Sequence, residues 1–371
     1  MTKKLFPLFS VLLVAVMLLA ACGPKEAGPV TINLWTKEGE ADGGLQYVQA
    51  LADAYTAAHP NVTFVVTNKE VETLREDFQT ASLANAAPEL LWTVSDHLGP
   101  FTTADLIQPV DKLVDLGKYV GSATDAVKTP DGKTWGVPIA NGNHLMLLYN
   151  KKLIAAPPKN TNDMIKVAKE LTRDLNKDGM PDQYGLVYNL NEPFFFAPWL
   201  GGFGGWPLDG TKPTLNTQAM IDALQFVQDL KFVHKIVPLE CDYDAADSLF
   251  KEGKAAMLIN GDWSLAGYQT DDVKKKVDLG VARIPMVSKT GRWPSPMTSG
   301  IYFMLPEYLE GDKLQIAKEF VQYCSSPDVQ LMFLNKYKRL PALASALDSP
   351  LIKADALLSG SADQREVGKP M

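Results

Sequence analysis

Residues 189–206 form the segment of this sequence whose side chains are best suited to binding chemistry. The segment carries six aromatic rings, four glycines and a single carboxylate, Glu192, while Pro193 and Pro198 keep it from forming a long regular helix. Flat rings beside a carboxylate complement a pyranose ring, which has apolar C–H faces and a rim of hydroxyl groups. The alternative is a core-filling loop whose rings pack inward. The segment by itself leaves both interpretations open.

Charged side chains follow two predicted strands in the first third of the chain. Residues 30–35 alternate between apolar and polar types and end in a charged loop. Residues 90–94 form a mainly apolar run that predicts a strand, and Asp96 and His97 follow it. Ligands of parallel sheets bind beyond the carboxyl ends of strands, so these side chains are candidates for the wall of a site. A solvated turn is the alternative for the first loop. The candidates are Lys37, Glu38, Glu40, Asp96 and His97.

The spacing of apolar residues predicts an α/β fold. A strand over residues 30–34, a helix over 45–55 and a strand over 63–66 form a βαβ unit, which favours a largely parallel sheet. Short apolar runs over residues 255–259 and 301–305 predict further buried strands. The roughly 340 residues that follow the N-terminal segment exceed what one hydrophobic core usually supports. We therefore expect two lobes.

Residues 174–182 match part of an EF-hand calcium loop. Oxygen-bearing side chains occupy positions 1, 3, 5 and 9, a glycine occupies position 6, and a main-chain carbonyl is available at position 7. Position 12 is Gly185, so the bidentate glutamate is missing. A polar turn between a helix and a strand is the alternative, and the sequence requires no other cofactor. The candidate calcium ligands are Asp174, Asn176, Asp178, Met180 and Asp182.

The N-terminus has the layout of a secretory signal peptide. Two lysines precede an apolar run over residues 5–17, which is shorter than the roughly 20 residues of a membrane-spanning helix. Leu-Ala-Ala-Cys, residues 19–22, resembles the lipobox of bacterial lipoproteins, whose cysteine carries the lipid. We expect residues 1–21 to be removed, Cys22 to anchor the protein at the outer face of the cytoplasmic membrane, and residues 22–29 to form a tether.

Composition argues against several functional classes. The chain has 36 Lys and Arg against 43 Asp and Glu, a net charge of -7, and an acidic surface disfavours nucleic acid as a partner. The four histidines show no zinc-ligand spacing. With Cys22 lipidated, Cys241 and Cys324 are too few for a disulfide framework.

A series of short motifs follows a fixed order along the chain. They are Leu34-Trp35, Leu91-Trp92 with Asp96, and residues 136–140, 147–151, 184–185, 189–206, 250–257, 259–263 and 317–320. In this order they resemble the extracellular solute-binding proteins of bacterial ABC importers, and most closely the maltose and maltodextrin binders. The likeness covers nearly the whole chain beyond the N-terminal segment.

This resemblance implies a two-lobe periplasmic-binding-protein-like α/β fold with a ligand cleft between lobes joined by crossover hinges. The implied segments are 30–140 plus 293–344 for lobe 1, 145–287 plus 345–371 for lobe 2, and 141–144 and 285–296 for the crossovers. Glycine and proline in the crossovers suit segments that bend. Relatives continue into a further helix that packs on lobe 2 and supplies another cleft aromatic, so the C-terminal part of lobe 2 is expected to be incomplete here.

The resemblance also implies a monomer that captures an oligosaccharide without catalysis and delivers it to the transmembrane subunits of an ABC permease. Carboxylates would accept sugar hydroxyls and rings would stack on the sugar. His97 and Phe194 stand where the maltose branch has an arginine and a tyrosine, and both changes remove hydrogen-bonding capacity. The expected sugar-binding residues are Lys37, Glu38, Glu40, Trp92, Asp96, His97, Glu192, Phe194, Phe195, Trp199, Trp206, Asp262, Trp263 and Tyr302.

Two other functions stay open on the sequence. A surface glycoside hydrolase would use two of Asp96, Glu192 and Asp262 as acid and base, at a separation of about 5 to 10 Å. A binding protein for a different solute would share the fold with another set of contacts. Because Cys241 and Cys324 are expected in different lobes, where a bond would pin the cleft, we predict free thiols.

Overall fold

The computed structural model of this protein describes residues 28–40, 43–210 and 212–370. The expected signal peptide, the lipidation site at Cys22 and most of the expected tether lie outside the described residues. Within those ranges, no helix has both the length and the apolar character that crossing a membrane requires.

Helices and strands alternate along most of the described chain. The strands are β1 (Val30–Thr36), β2 (Val62–Asn68), β3 (Leu90–Val94), β4 (Val137–Gly142), β5 (Leu145–Asn150), β6 (Tyr184–Val187), β7 (Leu208–Asp209), β8 (Lys212–Pro213), β9 (Ala255–Gly261), β10 (Leu279–Ala282), β11 (Met297–Met304) and β12 (Lys369–Pro370). The α-helices are α1 (Gly44–Ala58), α2 (Val71–Leu83), α3 (Leu98–Thr103), α4 (Gly121–Asp125), α5 (Thr161–Leu171), α6 (Pro193–Gly202), α7 (Gln218–Phe232), α8 (Tyr243–Lys251), α9 (Asp271–Lys276), α10 (Gly311–Cys324), α11 (Pro327–Tyr337), α12 (Ala344–Leu347), α13 (Pro350–Ala354) and α14 (Ala356–Arg365).

The first sheet contains the predicted βαβ unit. Its strand order is β12-β11-β3-β1-β2, with β4 also paired to β11. Strand β1 runs parallel to β2 and β3, whereas β11 runs antiparallel to β3 and β4. The carboxyl ends of β1 and β3 therefore meet at one edge of the sheet, as the sequence predicts.

A second sheet has the order β10-β5-β9-β6. Strand β5 is antiparallel to both of its neighbours, and β6 is parallel to β9. Each sheet has a hydrophobic cluster of its own, one containing Ile32, Trp92 and Phe320 and the other containing Leu147 and Trp199. Two sheets with separate cores give the two-lobe α/β fold that the sequence predicts.

The chain passes from the first sheet to the second between β4 and β5. Asn143, at this point, adopts a left-handed conformation with φ 50°, and its side-chain amide donates to Ser299 Oγ on β11 at 3.0 Å. The chain returns between β10 and β11. These passages coincide with the sequence positions at which crossovers are expected.

The C-terminal segment contacts both sheets. His144 Nε2 lies 3.0 Å from the Ser361 carbonyl oxygen on α14, and Gly360 packs against Val281 of β10. Strand β12, however, pairs in parallel with β11 of the first sheet. The assignment of all of residues 345–371 to the second lobe is therefore corrected at its end.

Cys241 and Cys324 are both buried and free, which confirms the prediction of free thiols.

Candidate functional site: a cleft between the two sheets

A cleft of about 930 Å³ lies between the two sheets. Its walls come from the loop after β1, the start of α2, the start of α6, the start of α8 and the turn after β9. The lining residues are Lys37, Glu38, Gly39, Asn68, Glu70, Val71, Glu72, Val94, Asn143, Asn189, Asn191, Glu192, Pro193, Phe194, Phe195, Asp242, Tyr243, Asp244, Trp263 and Arg339.

A buried charge cluster forms the first wall of this cleft. Lys37 Nζ lies 3.1 Å from Glu38 Oε1, and Arg339 Nη2 lies 3.0 Å from Glu38 Oε2. The indole Nε1 of Trp92 also donates to Glu38 Oε1, at 3.3 Å. The side chains of Lys37, Glu38 and Arg339 are 9%, 4% and 5% exposed, so this carboxylate sits between two cations almost without water.

The charges in this cluster shift one another's protonation. Burial alone would raise the pKa of Glu38, but the positive charges of Arg339 and Lys37, together with hydrogen bonds from Lys37 and Trp92, lower it to about 2. Burial lowers the pKa of Lys37, Glu38 opposes this effect, and Arg339 adds to it. Glu38 therefore stays ionised at neutral pH, between the side chains of Lys37 and Arg339.

Local hydrogen bonds hold the loop that carries Glu38. The Glu38 amide donates to Thr36 Oγ1 at 3.1 Å, and the side-chain amide of Asn68 donates to the Glu38 carbonyl at 2.8 Å. Gly44, at the start of α1, approaches so closely that an added Cβ would lie 2.8 Å from Glu38 Oε2. The loop is thus fixed by the end of β2 and by the close approach of α1.

The opposite wall begins at Glu192, the residue that precedes α6. The side-chain amide of Asn189 donates to Glu192 Oε1 at 2.6 Å, and Pro193 suits the first helical position because it needs no hydrogen bond to its nitrogen. Burial raises the pKa of Glu192, and the negative charges of Glu70 and Glu72 raise it further, although the Asn189 hydrogen bond opposes them. Carboxylates from both walls therefore face one space.

Trp263 supplies an aromatic face to the cleft. An added Cβ on Gly261 would lie only 2.0 Å from the Trp263 ring, so the ring lies directly on the end of β9. Its Nε1 donates to the Tyr243 hydroxyl at 2.9 Å, and the Phe194 ring centroid is 6.1 Å away. The three rings form an apolar surface beside the carboxylates.

Residues 189–206 contribute both to the core and to the cleft. Phe194 and Phe195 line the cleft, whereas Trp199 is fully buried against Phe226 in the core of the second sheet. The segment is helical over Pro193–Gly202, and Pro198 lies inside that helix. Its rings thus divide between the core and the cleft.

Six of the predicted sugar-binding residues line the cleft, and the other eight lie outside its lining. Trp92, Trp199 and Tyr302 are 0% exposed and belong to the hydrophobic cores, so they offer no face to a ligand. Trp92 nevertheless reaches the cleft wall through its hydrogen bond to Glu38. Trp92 belongs to strand β3, which is buried on both faces. Its position in the sequence pattern therefore could not show whether its side chain faces the core or the cleft. The six are Lys37, Glu38, Glu192, Phe194, Phe195 and Trp263.

His97 and Asp262 are structural groups near the cleft. His97 is buried with its Nδ1 2.7 Å from Thr93 Oγ1, and burial, assisted by the positive charges of Arg75 and Lys37, lowers its pKa to about 4. Asp262 is buried at the crossover, where its Oδ1 accepts a hydrogen bond from the His144 amide at 3.3 Å. Neither side chain lines the cleft.

The remaining three predictions also fall outside the cleft lining. Glu40 is exposed, and the Trp206 ring carries Lys369 Nζ at 5.1 Å from its centroid. Asp96 accepts a hydrogen bond from Ser95 Oγ at 3.4 Å, and burial raises its pKa.

Sequence reasoning missed several cleft residues, among them the buried Arg339. Arg339 meets Glu38 across 301 positions of sequence, and no local pattern signals a contact of that range. Asp242, which precedes α8 and caps it through a hydrogen bond from the Ala245 amide, could have been found from its capping position. The missed residues include Asn68, Glu70, Glu72, Asn143, Asp242, Tyr243, Asp244 and Arg339.

The acidic loop over residues 174–182 is held by its own hydrogen bonds. Asp174 accepts from the amides of Lys177 and Gly179 at 2.6 and 2.8 Å, and Asp182 Oδ2 accepts from the amide of Leu175 at 2.7 Å. Within the described ranges, no group of three or more His, Cys, Asp or Glu side chains is arranged to hold a metal ion. Calcium binding by Asp174, Asn176, Asp178, Met180 and Asp182 stays a prediction.

Comparison with known proteins places this geometry in a family. The profile described as bacterial extracellular solute-binding protein matches residues 50–360. A solved structure, the maltose/maltodextrin-binding domain MalE from Bdellovibrio bacteriovorus bound to maltotriose, is 41% identical with a TM-score of 0.86, over 92% of this chain and 88% of that chain.

Two curated relatives agree with the profile. The maltotriose-binding protein of Pyrococcus abyssi (strain GE5 / Orsay) is 29% identical over 328 residues, which are 85% of this chain and 68% of the relative. The maltooligosaccharide ABC transporter solute-binding lipoprotein of Streptococcus pneumoniae (strain ATCC BAA-255 / R6) is 23% identical over 374 residues, 96% of this chain and 85% of the relative. With a cleft between two sheets and a profile match over most of its length, this chain belongs to the bacterial extracellular solute-binding proteins.

Proposed function

We propose that this protein is the sugar-binding component of an ABC importer and holds a maltooligosaccharide in the cleft between its sheets. The observation that carries the proposal is that the rings of Phe194, Tyr243 and Trp263 line one cleft together with the carboxylate of Glu192 and the ammonium of Lys37. The 41% identical relative bound to maltotriose supports the choice of ligand.

The cleft has the two chemical features that a glucan needs. Aromatic faces cover the apolar C–H faces of pyranose rings, while carboxylates and an ammonium exchange hydrogen bonds with the hydroxyl rim. Charge-assisted hydrogen bonds are about twice as strong as neutral ones, and a buried site excludes competing water. A neutral, hydroxyl-rich ligand thus satisfies polar groups that the cleft would otherwise leave to solvent.

Membership of this family supports an extracellular location of the protein in the cell envelope. We extend this to a lipid anchor on Cys22 and to a monomer that docks on the transmembrane subunits of an ABC permease. The lipobox resemblance and the lipoprotein relative support the anchor. Closure of the two lobes around the sugar would give the permease a distinct shape to recognise.

We propose capture without catalysis. The relatives described above are named for binding and not for hydrolysis. The alternative is hydrolysis by carboxylates of the cleft, of which Glu192 has a raised pKa. Release of reducing ends during long incubation with maltotriose would support the hydrolase, whereas intact maltotriose supports binding alone.

Calorimetric titration of the signal-free protein tests the ligand. We expect saturable binding of maltotriose and weaker or absent binding of a galactooligosaccharide. Replacing the ring surface by Trp263→Ala should weaken maltotriose binding about tenfold or more, which corresponds to about 1.4 kcal/mol. Trp135→Phe, in a hairpin outside the cleft lining, should bind as the wild type does. A folded protein that binds no maltooligosaccharide would refute the proposal.

A further inference from the structure

We propose that Arg339 is a positioning residue for ligand binding, which secures Glu38 as an anchor and leaves Lys37 as the hydrogen-bond donor that faces the sugar. The inference rests on the proposed function and concerns the same cleft. It reverses the role that the sequence suggested for Glu38, which was a direct acceptor of sugar hydroxyls.

Glu38 is already engaged at both of its carboxylate oxygens. Oε1 receives Lys37 Nζ at 3.1 Å and Trp92 Nε1 at 3.3 Å, and Oε2 receives Arg339 Nη2 at 3.0 Å. Its side chain is 4% exposed, so little of the carboxylate surface is open to a ligand. A carboxylate occupied from two sides acts as an anchor for its neighbours.

Arg339 is buried at the cleft wall and its guanidinium has a ring contact, but one of its N–H groups has no partner. It follows Lys338, which ends α11 in a left-handed conformation with φ 56°, and its guanidinium lies 5.8 Å from the Phe333 ring. Its Nε is buried without a hydrogen-bond partner, although the residue lines the cleft. An unpaired buried N–H destabilises the folded protein. The protein nevertheless keeps an arginine at this position, where its Nη2 donates to Glu38 Oε2 at 3.0 Å.

Lys37 has N–H groups to spare and is the more exposed of the two cations, with 9% of its side chain exposed against 5% for Arg339. Its ammonium carries three N–H groups, of which one is used on Glu38, and the residue lines the cleft. Sugar hydroxyl and acetal oxygens are acceptors that the other N–H groups can reach when a ligand enters. Glu38 fixes the direction of this ammonium, and Arg339 fixes Glu38.

Lys37, Glu38 and Arg339 are coupled by their charges as well as by direct contacts. Arg339 lowers the pKa of Lys37 and also lowers the pKa of Glu38, which is about 2. Removing this cation should therefore raise both pKa values. The other titratable groups that act on Lys37 or Glu38 are Asp96, His97 and Asp262 near Lys37 and Tyr47 and Tyr337 near Glu38.

The test is the pH dependence of maltotriose affinity in the wild type, Arg339→Met and Arg339→Lys, from about pH 3 to about pH 10. We expect Arg339→Met to bind about tenfold more weakly at neutral pH, and to lose affinity at a higher pH than the wild type on the acid side because Glu38 protonates earlier. On the alkaline side, its loss of affinity should also move to a higher pH because Lys37 keeps its proton longer.

Two comparisons separate positioning from a purely structural role. Arg339→Lys keeps the positive charge, so its affinity should fall at the same acid and alkaline pH values as in the wild type. Its affinity at neutral pH should lie between those of Arg339→Met and the wild type. Arg173→Met, which removes an exposed arginine between α5 and β6 that is not part of the cleft lining, should leave the profile unchanged. The carboxyl groups of Glu70, Glu72 and Glu192 line the cleft in every variant, so the difference between profiles reports the effect of Arg339.

A ligand-free measurement keeps this inference separate from the proposed function. The pKa of Lys37 can be followed by NMR of ¹³Cε-labelled lysine, with Lys37→Arg to assign the signal. A higher Lys37 pKa in Arg339→Met than in the wild type supports the coupling, even if maltotriose does not bind and the proposed function fails. An unchanged Lys37 pKa, or limbs of the binding profile that do not move, overturns the inference.

Discussion

At the scale of single residues, Glu38 shows how a buried charge is tolerated by its neighbours. Burying a carboxylate costs several kcal/mol unless opposite charges and hydrogen bonds replace the lost water. Lys37, Arg339 and Trp92 make that replacement from three different parts of the chain. Removing one partner from such a cluster leaves the others buried and uncompensated.

We predict that Glu38→Gln lowers the free energy of unfolding at neutral pH by on the order of 3 kcal/mol, because two buried cations lose their partner. The pKa of Glu38 falls from an ordinary 4.5 to about 2 in the folded protein. Its stabilising contribution is therefore complete above about pH 4.5 and is lost as the pH falls towards about 2. Urea denaturation across this range should show the difference between wild type and variant shrinking with acid.

The control for this measurement is Glu252→Gln, which removes an exposed carboxylate paired with Lys276. Exposed ion pairs contribute little, so this variant should unfold like the wild type at every pH. A Glu38→Gln protein as stable as the wild type at neutral pH would contradict the prediction.

At the scale of elements, the end of β9 sets the position of the main cleft ring. Gly261 ends the strand, Asp262 accepts a hydrogen bond from the His144 amide at the crossover, and the Trp263 ring folds back over Gly261. Any side chain at position 261 would occupy the space of that ring. The glycine is therefore required by a close approach and not by an unusual φ.

We predict that Gly261→Ala weakens maltotriose binding about tenfold, because the new methyl group displaces the Trp263 ring. Calorimetric titration measures the loss, and a thermal scan shows whether the protein is still folded. Gly99→Ala is the matched control, since a Cβ there meets nothing within 4 Å. Equal affinities for Gly261→Ala and the wild type would mean that the ring does not contact the sugar.

At the scale of the whole molecule, helix α14 connects the two passages between the sheets. Ser361 bonds to His144 at the first passage, and Gln364 accepts from the Ile284 amide at 2.6 Å near the second. Gln364 also donates to the Pro294 carbonyl at 3.4 Å. The relative placement of the sheets therefore depends on a helix far from the cleft lining.

We predict that Gln364→Leu lowers the free energy of unfolding by about 1 to 3 kcal/mol, because the Ile284 N–H would be left buried without its acceptor. Urea denaturation measures the change. Gln315→Leu, on the exposed side of α10, serves as the control and should have a much smaller effect. A loss in the control equal to that in Gln364→Leu would remove the role assigned to α14.

The sequence by itself determined the order of the elements and the family. Alternation over β1 and helical spacing over α1 predict the parallel βαβ unit, because both periods are set by local backbone geometry. The charged loop after β1 and the aromatic segment at α6, both predicted from the sequence as parts of a site, contribute lining residues to the cleft. Its chemistry follows from residue type, and its approximate location follows from the rule that sites form beyond strand ends.

Only the tertiary structure decided which side chains face the ligand cleft. Trp92 and Trp263 look alike in sequence, yet one lies in a strand buried on both faces and the other follows a strand end. The contact of Arg339 with Glu38 joins residues 301 positions apart. Periodicity reports the faces of one element, whereas burial on both faces and pairing between distant segments arise from packing, which no local pattern records.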